Sequence, residues 1–245
     1  MLNQIIPGIL AKLGNLPFIL AEPLEIADYF IGLDISRERK RNSRGSNNAC
    51  GSVRLYGKQG EFIQYQLDDQ PIEGEEISGK FLERFFQESE LKDKTVLIYR
   101  DGLFRGNEAK FLNNWAKAIG SKFILVECIK SGVPRLYNWS QKTVVAPDKG
   151  SSLLLSSREA ILVTTKVPAN IGLARPLRLK IHEEGEQVAI EKVLETTLKL
   201  TLLHHGALQT PRLPMPIYGA DRMAYLRLKG IYPTNWLNGD RQFWL

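Results

Sequence analysis

The sequence is poor in cysteine and histidine. Its 245 residues include two cysteines, Cys50 and Cys128, and three histidines. Two cysteines without CxxC spacing predict neither a zinc framework nor the disulfide scaffold of a small secreted domain. A chain of this length can bury a sufficient core without such cross-links, and free cysteines are compatible with a reducing cytoplasm.

Long apolar runs are also missing. No stretch reaches the roughly 20 apolar residues that a membrane-spanning helix needs. The first thirty residues are interrupted by prolines and lack a basic segment followed by a small-residue cleavage site, so they do not indicate a secretory signal. We therefore expect a cytoplasmic protein without a membrane partner.

Positive charge is in excess and unevenly distributed. The formal net charge is +6. The densest basic run, SRERKRNSRG, follows Asp34 directly and contains Arg37, Arg39, Lys40, Arg41 and Arg44. A solvated hairpin would explain such a run. A basic loop beside acidic residues also suits a polyanionic substrate whose metal ions bind those acids.

Hydrophobic patterning predicts an α/β fold with a mixed sheet. The segments YFIGLD, CGSVRLYG and EFIQYQL have the composition and alternation of strands and follow one another as an antiparallel meander. The next segment, ISGKFLERFFQESEL, has apolar residues at helical spacing and predicts a helix. It is followed by the strand KTVLIYRD. Because a strand-helix-strand unit needs a right-handed parallel crossover, the strand ending in Asp101 should lie parallel to the strand ending in Asp34 and near it. A last helix is expected to begin near Gly219 or Ala220, after three prolines.

Two of the predicted strands end in an aspartate. Ligands of open α/β sheets bind at the carboxyl ends of the strands, and two carboxylates held close together repel each other unless a cation binds them. Two Mg²⁺ or Mn²⁺ ions about 3.5 to 4 Å apart can activate a water and stabilise the leaving oxygen of a phosphodiester. The candidates for further oxygen ligands are Glu73, Glu75, Glu76 and Asp221. The alternatives are a solvated turn for the glutamates and a helix-dipole role for Asp221.

Four segments of the chain, in order, resemble the Piwi domain of Argonaute proteins, most closely that of the prokaryotic branch. They are YFIGLDIS, EGEEI, VLIYRDG and RLPMPIYGADRMAYL, and the resemblance covers nearly the whole chain. It implies an RNase H-like mixed sheet flanked by helices and a guide-directed endonuclease with two Mg²⁺ or Mn²⁺ ions. The implied partners are a guide strand and a target strand of nucleic acid, with DNA favoured over RNA.

The resemblance implies a catalytic tetrad. Asp34, Asp101 and Asp221 correspond to the metal-binding aspartates, and Glu75 corresponds to a mobile glutamate that completes the site. All four positions are acidic here, as in the cleaving members of the family.

Contacts to nucleic acid are predicted at several further positions. Through the resemblance, Lys12 and the terminal carboxylate of Leu245 would bind near the 5′ phosphate of the guide, and Lys130 and Arg135 would lie along its backbone. The basic run adds Arg37, Arg39, Lys40 and Arg41. Such contacts position a strand, whereas base pairing selects it.

The resemblance also divides the chain. Residues 1–26 resemble the C-terminal remnant of a MID-like domain with its linker, and residues 27–245 resemble the Piwi nuclease domain. Argonautes place further domains before this one, so we expect a MID/PAZ-containing partner or a missing N-terminal half.

Three functions stay open at this point. The chain could cut a guide-paired strand, or it could bind nucleic acid without cutting alone. It could also be an unrelated α/β enzyme acting on a small phosphorylated substrate. The third function predicts a glycine-rich loop between strand and helix, and neither a GxGxxG nor a Walker motif occurs.

Overall fold

The described part of the chain forms thirteen strands and six helices. The computed structural model describes residues 2–39, 46–48, 52–67, 76–140, 142–168, 172–206, 211–233 and 238–245. The strands are β1 (Tyr29–Asp34), β2 (Arg37–Arg39), β3 (Ser46–Asn48), β4 (Ser52–Tyr56), β5 (Phe62–Gln66), β6 (Thr95–Asp101), β7 (Lys122–Ile129), β8 (Asn138–Ser140), β9 (Thr143–Val145), β10 (Ser152–Ser156), β11 (Glu159–Leu162), β12 (Leu177–Ile181) and β13 (Asn238–Gly239). The helices are α1 (Leu2–Lys12), α2 (Gly79–Phe85), α3 (Glu88–Leu91), α4 (Glu108–Ala118), α5 (Ile190–Leu200) and α6 (Met215–Leu228). None of these helices combines the length and the apolar character that crossing a bilayer requires.

Nine strands form one mixed sheet in the order β10-β11-β12-β7-β6-β1-β4-β5-β13. The pairs β1/β6 and β6/β7 are parallel, and the other neighbouring pairs are antiparallel. The predicted meander is confirmed, because β1, β4 and β5 are consecutive antiparallel neighbours. The predicted parallel arrangement is confirmed as well: the strands that end in Asp34 and Asp101 lie side by side.

Each face of the sheet is covered by helices. Along β6, Leu97 and Tyr99 belong to a core that includes apolar residues of α5 and α6. Val96 and Ile98 belong to a second core, which includes apolar residues of α2 and α4. This division follows from the two-residue alternation of strand side chains. The same alternation predicts that Asp101 projects toward the side of α5 and α6.

Helix α6 begins earlier than the sequence predicts. It starts at Met215 rather than near Gly219 or Ala220, with Pro214 as the N-cap. The prediction was wrong because proline was treated as a breaker. In the first turn of a helix the missing N–H has no intrahelical acceptor, and the fixed φ of proline suits a helix start.

This earlier start moves Asp221 out of the first turn. Asp221 lies in the second turn of the 14-residue helix. Interaction with the helix dipole is concentrated in the first and last turns. Interaction with the helix dipole therefore does not explain an aspartate at this position.

Candidate metal centre

Three aspartates meet at the carboxyl ends of β1 and β6. Asp34 ends β1, Asp101 ends β6, and Asp221 is supplied by α6. One carboxylate oxygen from each lies within 4.8 Å of the others. Asp34 is buried, whereas the side chain of Asp221 is 38% exposed. The cluster is thus anchored in the protein on one side and open on the other.

Gly32 allows α6 to reach this position. A Cβ atom on Gly32 would lie 2.2 Å from the carbonyl oxygen of Pro216, so the helix contacts the strand backbone where a side chain would stand. From this contact, five helical residues lead to Asp221 and two strand residues lead to Asp34. These segments advance by about 7.5 Å and about 6.6 Å, respectively. The two lengths are similar, and the two carboxylates meet beyond the contact at Gly32.

The electrostatic environment of Asp34 opposes its ionisation. Burial, followed by repulsion from Asp101 and Asp221, raises the pKa of Asp34 from 3.8 to about 8. Lys130 acts in the opposite direction but does not cancel these effects. Without a bound cation, the cluster therefore retains a proton on Asp34 near neutral pH.

The raised pKa of Asp34 predicts a pH-dependent stability. Between about pH 4 and pH 8 the folded state holds a proton that the unfolded state has released, so the free energy of unfolding falls as pH rises through this window. The slope is at most about 1.4 kcal/mol per pH unit. Urea unfolding in EDTA from pH 5 to pH 8 should show this decline in the wild type and a flatter profile in Asp34→Asn. Parallel profiles of the two proteins would contradict the assignment.

Lys130 lies inside the cluster. Its Nζ is 2.5 Å from Oδ2 of Asp101 and 2.9 Å from Oδ1 of Asp221. Strand geometry explains this placement: Cys128 of β7 pairs with Asp101 of β6, and Lys130 continues the side of the sheet on which Cys128 lies. Burial lowers the pKa of Lys130, but Asp101 and Asp221 together raise it above its ordinary value, so the ammonium stays charged.

A buried ion pair holds the end of β6 from the other face. Glu108, at the start of α4, accepts hydrogen bonds from Nε of Arg100 at 3.1 Å and from the backbone N–H of Arg105 at 3.1 Å. Its second oxygen accepts from the N–H of Ile77 at 2.7 Å. Arg100 also donates to the carbonyl of Asp101 at 2.9 Å. Glu108 thus ties the strand end that carries Asp101 to the chain just after the segment EGEE.

Loss of this carboxylate should destabilise the protein strongly. Glu108 and Arg100 are 1% and 4% exposed, so Glu108→Ala removes a buried carboxylate from the Arg100 guanidinium and from the two backbone N–H groups that it accepts from. We expect a loss of about 3 to 5 kcal/mol in the free energy of unfolding. Urea denaturation measures this loss. The control is Glu88→Ala, which breaks an exposed i,i+4 pair with Lys92 and should cost less than about 1 kcal/mol; equal effects would contradict the expectation.

The glutamate candidates are only partly within the described residues. Glu73 and Glu75 lie outside them. Glu76 is exposed, and its Oε1 accepts a hydrogen bond from the N–H of Asn107 at 2.8 Å. It is not part of the three-aspartate group. The role predicted for Glu75 stays a prediction.

Several basic side chains lie near Asp101. Arg37 and Arg105 line a shallow depression with Asp101. Arg212 lies within electrostatic range of both Asp101 and Arg175, and burial is the main cause that lowers its pKa. Sequence reasoning missed Arg105, Arg175 and Arg212, because isolated arginines in loops carry no local signal.

The nucleic-acid contacts predicted for the basic run lie only partly within the described residues. The basic run begins as the hairpin β2/β3, in which Arg37 pairs with Asn48. The backbone of Arg39 belongs to β2, whereas Lys40 and Arg41 lie outside the described residues. These contacts stay predictions.

The two predicted ligands of the guide 5′ phosphate, Lys12 and Leu245, belong to segments that lie near each other. Lys12 is exposed at the end of α1, and Leu245 packs beside Gly206. A Cβ on Gly8 of α1 would lie 3.1 Å from Cα of Gly206, so α1 and the C-terminal residue adjoin the same turn. Arg135 is exposed in the segment after β7. None of these positions is brought into the aspartate cluster by the described contacts.

Comparison with known proteins adds to this geometry. A family model of the Piwi domain matches residues 1–231. The Argonaute of Aquifex aeolicus is 28% identical over 249 residues, covering 100% of this chain and 34% of that protein. The Argonaute of Methanocaldococcus jannaschii is 23% identical over 233 residues, covering 91% of this chain and 31% of that protein.

Solved structures show the same likeness. Clostridium butyricum Argonaute, bound to a guide DNA and a 19-mer target DNA, matches with a TM-score of 0.84 and 26% identity, covering 100% of this chain and 32% of that chain. Aa-Ago with externally bound siRNA matches with a TM-score of 0.77 and 27% identity, covering 98% and 33%. This chain therefore spans about a third of the length of these relatives. The predicted RNase H-like mixed sheet flanked by helices is confirmed, and the match over nearly the whole chain shows that it belongs to the Piwi domain family.

Proposed function

We propose that this chain is the cutting domain of a guide-directed, divalent-metal-dependent endonuclease. It would cleave a phosphodiester bond in a strand that is paired to a guide. The observation that carries this proposal is the meeting of three aspartate carboxylates within 4.8 Å at the ends of parallel strands.

The donor set fits Mg²⁺ or Mn²⁺. Asp34, Asp101 and Asp221 offer carboxylate oxygens, which are the ligands these hard cations prefer, and neither cysteine nor histidine belongs to the group. When bound, two such ions supply an activated water and stabilise the leaving oxygen. Burial and repulsion from the other two aspartates oppose the ionisation of Asp34. A bound cation would stabilise the ionised carboxylate.

The protein would position the reacting strand with rigid elements. Asp34 and Asp101 are fixed by paired strands, and Asp221 is fixed by a helix packed on β1. Glu75 would complete the ligand set from the loop before α2. Glu76 is already hydrogen-bonded to the backbone of Asn107, which favours Glu75 over Glu76 for this role.

A nucleic acid is the substrate class that the surrounding charge favours. Arg37 and Arg105 beside Asp101, with Arg212 in electrostatic range, provide cations for phosphates near the cluster. A similar protein, Clostridium butyricum Argonaute, was solved with guide DNA and target DNA. We therefore favour DNA for the target.

A second candidate is a binding module that does not cut alone. It is favoured by the extent of the match, since the chain spans about a third of its relatives. The residues that anchor a guide would then be supplied by a MID/PAZ-containing partner.

A cleavage assay separates the two candidates. A labelled DNA strand paired to a 5′-phosphorylated guide is incubated with the chain and Mn²⁺, with and without a MID-containing partner. Products at one position with the chain alone support the nuclease, and products only with the partner support dependence on it. Intact substrate in both reactions, despite bound Mn²⁺ and bound strands, would exclude cleavage.

A further inference from the structure

The ammonium of Lys130 lies where a cation shared by two carboxylates would lie. It contacts Oδ2 of Asp101 at 2.5 Å and Oδ1 of Asp221 at 2.9 Å. These contacts use oxygens from two of the three aspartates that form the candidate metal centre. A divalent ion held by Asp101 and Asp221 would therefore compete with Lys130 for these oxygens.

We propose that Lys130 is a built-in counter-ion that holds the aspartate cluster together in the metal-free state and is displaced when divalent ions bind. This inference rests on the proposed metal-dependent function. Lys130 is a positioning residue in this account, because it acts through the aspartates. Its presence lowers the apparent metal affinity, so that the cluster is completed only when ions displace the ammonium.

The backbone around Lys130 is fixed, but its side chain can leave. Cys128 pairs with Asp101, and the carbonyl of Cys128 accepts a hydrogen bond from the N–H of Gly102 at 3.0 Å, which anchors the end of β7. Lys130 follows the last residue of β7, and its side chain is 30% exposed. Four methylene groups connect this anchored backbone to the charge. The ammonium can therefore leave the carboxylates without movement of the sheet.

A phosphate of a bound strand offers the displaced ammonium a new partner. Arg37 and Arg105 already line a depression with Asp101, one of the two aspartates that Lys130 contacts. An anion held there would attract Lys130 outward, while the two divalent ions replace it at the carboxylates. Substrate and metal would thus favour the same displaced position of the side chain.

The test compares Lys130→Met with Lys166→Met. Lys130→Met keeps an apolar stem and removes the charge. Lys166→Met removes the same charge from an exposed pair with Asp148, whose Oδ1 is 3.1 Å away. Isothermal titration calorimetry with Mn²⁺ on the full chain measures the affinity, and thermal unfolding in EDTA measures the metal-free stability.

We expect Lys130→Met to bind Mn²⁺ about 5- to 150-fold more tightly than the wild type, which is the typical range of coupling between two binding events. It should also unfold at a lower temperature in EDTA, because the carboxylates of Asp101 and Asp221 then lack their ammonium. Lys166→Met should match the wild type in metal affinity. Should Lys130→Met not fold in EDTA, Mn²⁺ is expected to restore its folding, and failure of Mn²⁺ to do so would overturn the proposal.

Unchanged or weaker Mn²⁺ binding by Lys130→Met would overturn the counter-ion role. If Asp101→Asn still abolishes Mn²⁺ binding in that case, the metal centre itself stands. Mn²⁺ binding that does not depend on Asp101, or no Mn²⁺ binding at all, in both the wild type and Lys130→Met would be a different result. The proposed function would then fail together with this inference.

Discussion

Asp34→Ala and Asp101→Ala are each expected to abolish cleavage of a guide-paired strand while leaving strand binding nearly intact. In the proposed site the two aspartates would be fixed metal ligands at neighbouring strand ends, so loss of either would remove one of the three carboxylates that meet there. We expect the single-turnover rate to fall by at least about a hundredfold. Strand affinity should hold or rise slightly, because removing a carboxylate also removes repulsion of phosphates.

The matched control for this pair is Asp148→Ala. Asp148 is 82% exposed and pairs with Lys166 outside the cluster. The Asp148→Ala variant should cleave and bind the guide-paired strand like the wild type. If Asp34→Ala or Asp101→Ala unfolded the domain, or lost binding in proportion to activity, these carboxylates would be structural and the metal interpretation would fail.

Glu75→Gln is expected to lower the cleavage rate by orders of magnitude while Mn²⁺ still binds to the aspartates. The predicted loop position before Gly79 would let this glutamate join the site only as it closes. Because a glutamine side chain carries no charge, it would not replace a ligand of two cations. Single-turnover cleavage in a guide-competent complex measures the rate, and calorimetry measures Mn²⁺ binding.

The neighbouring glutamates provide the controls. Glu73→Gln and Glu76→Gln should stay near the wild type, and for Glu76 the hydrogen bond to Asn107 explains why its carboxylate is used elsewhere. If Glu76→Gln were inactive and Glu75→Gln active, the fourth acidic ligand would be Glu76 rather than Glu75. Normal cleavage by all three variants would mean that this loop supplies no ligand.

Local pattern and topology rules were sufficient to predict that two of the three aspartates, Asp34 and Asp101, lie at neighbouring strand ends. The apolar runs before Asp34 and Asp101 identify two strands, and the helix between them requires a parallel crossover. The structure places these strands side by side. No distance information was needed, because the carboxyl ends of adjacent parallel strands meet at one edge of the sheet.

The rest of the site depends on contacts between distant residues. The position of Asp221 depends on the contact of Pro216 with Gly32, and the prolines that begin α6 were read as breakers. Lys130 was predicted to lie along the backbone of the guide, and its approach to Asp101 follows only from the register of β6 and β7. Glu108 lies in an ordinary helical pattern, and only the folded chain shows that it pairs with Arg100.

The measurement that tests the proposed function most directly is Mn²⁺-dependent cleavage of a labelled strand paired to a 5′-phosphorylated guide. Wild type and Asp101→Asn are compared with a MID-containing partner present, each in Mn²⁺ and in EDTA. We predict products at one position for the wild type in Mn²⁺, and intact substrate in EDTA and with Asp101→Asn. Equal Mn²⁺-dependent cleavage by Asp101→Asn, or intact substrate with a wild type that binds both Mn²⁺ and the paired strands, would contradict the proposal.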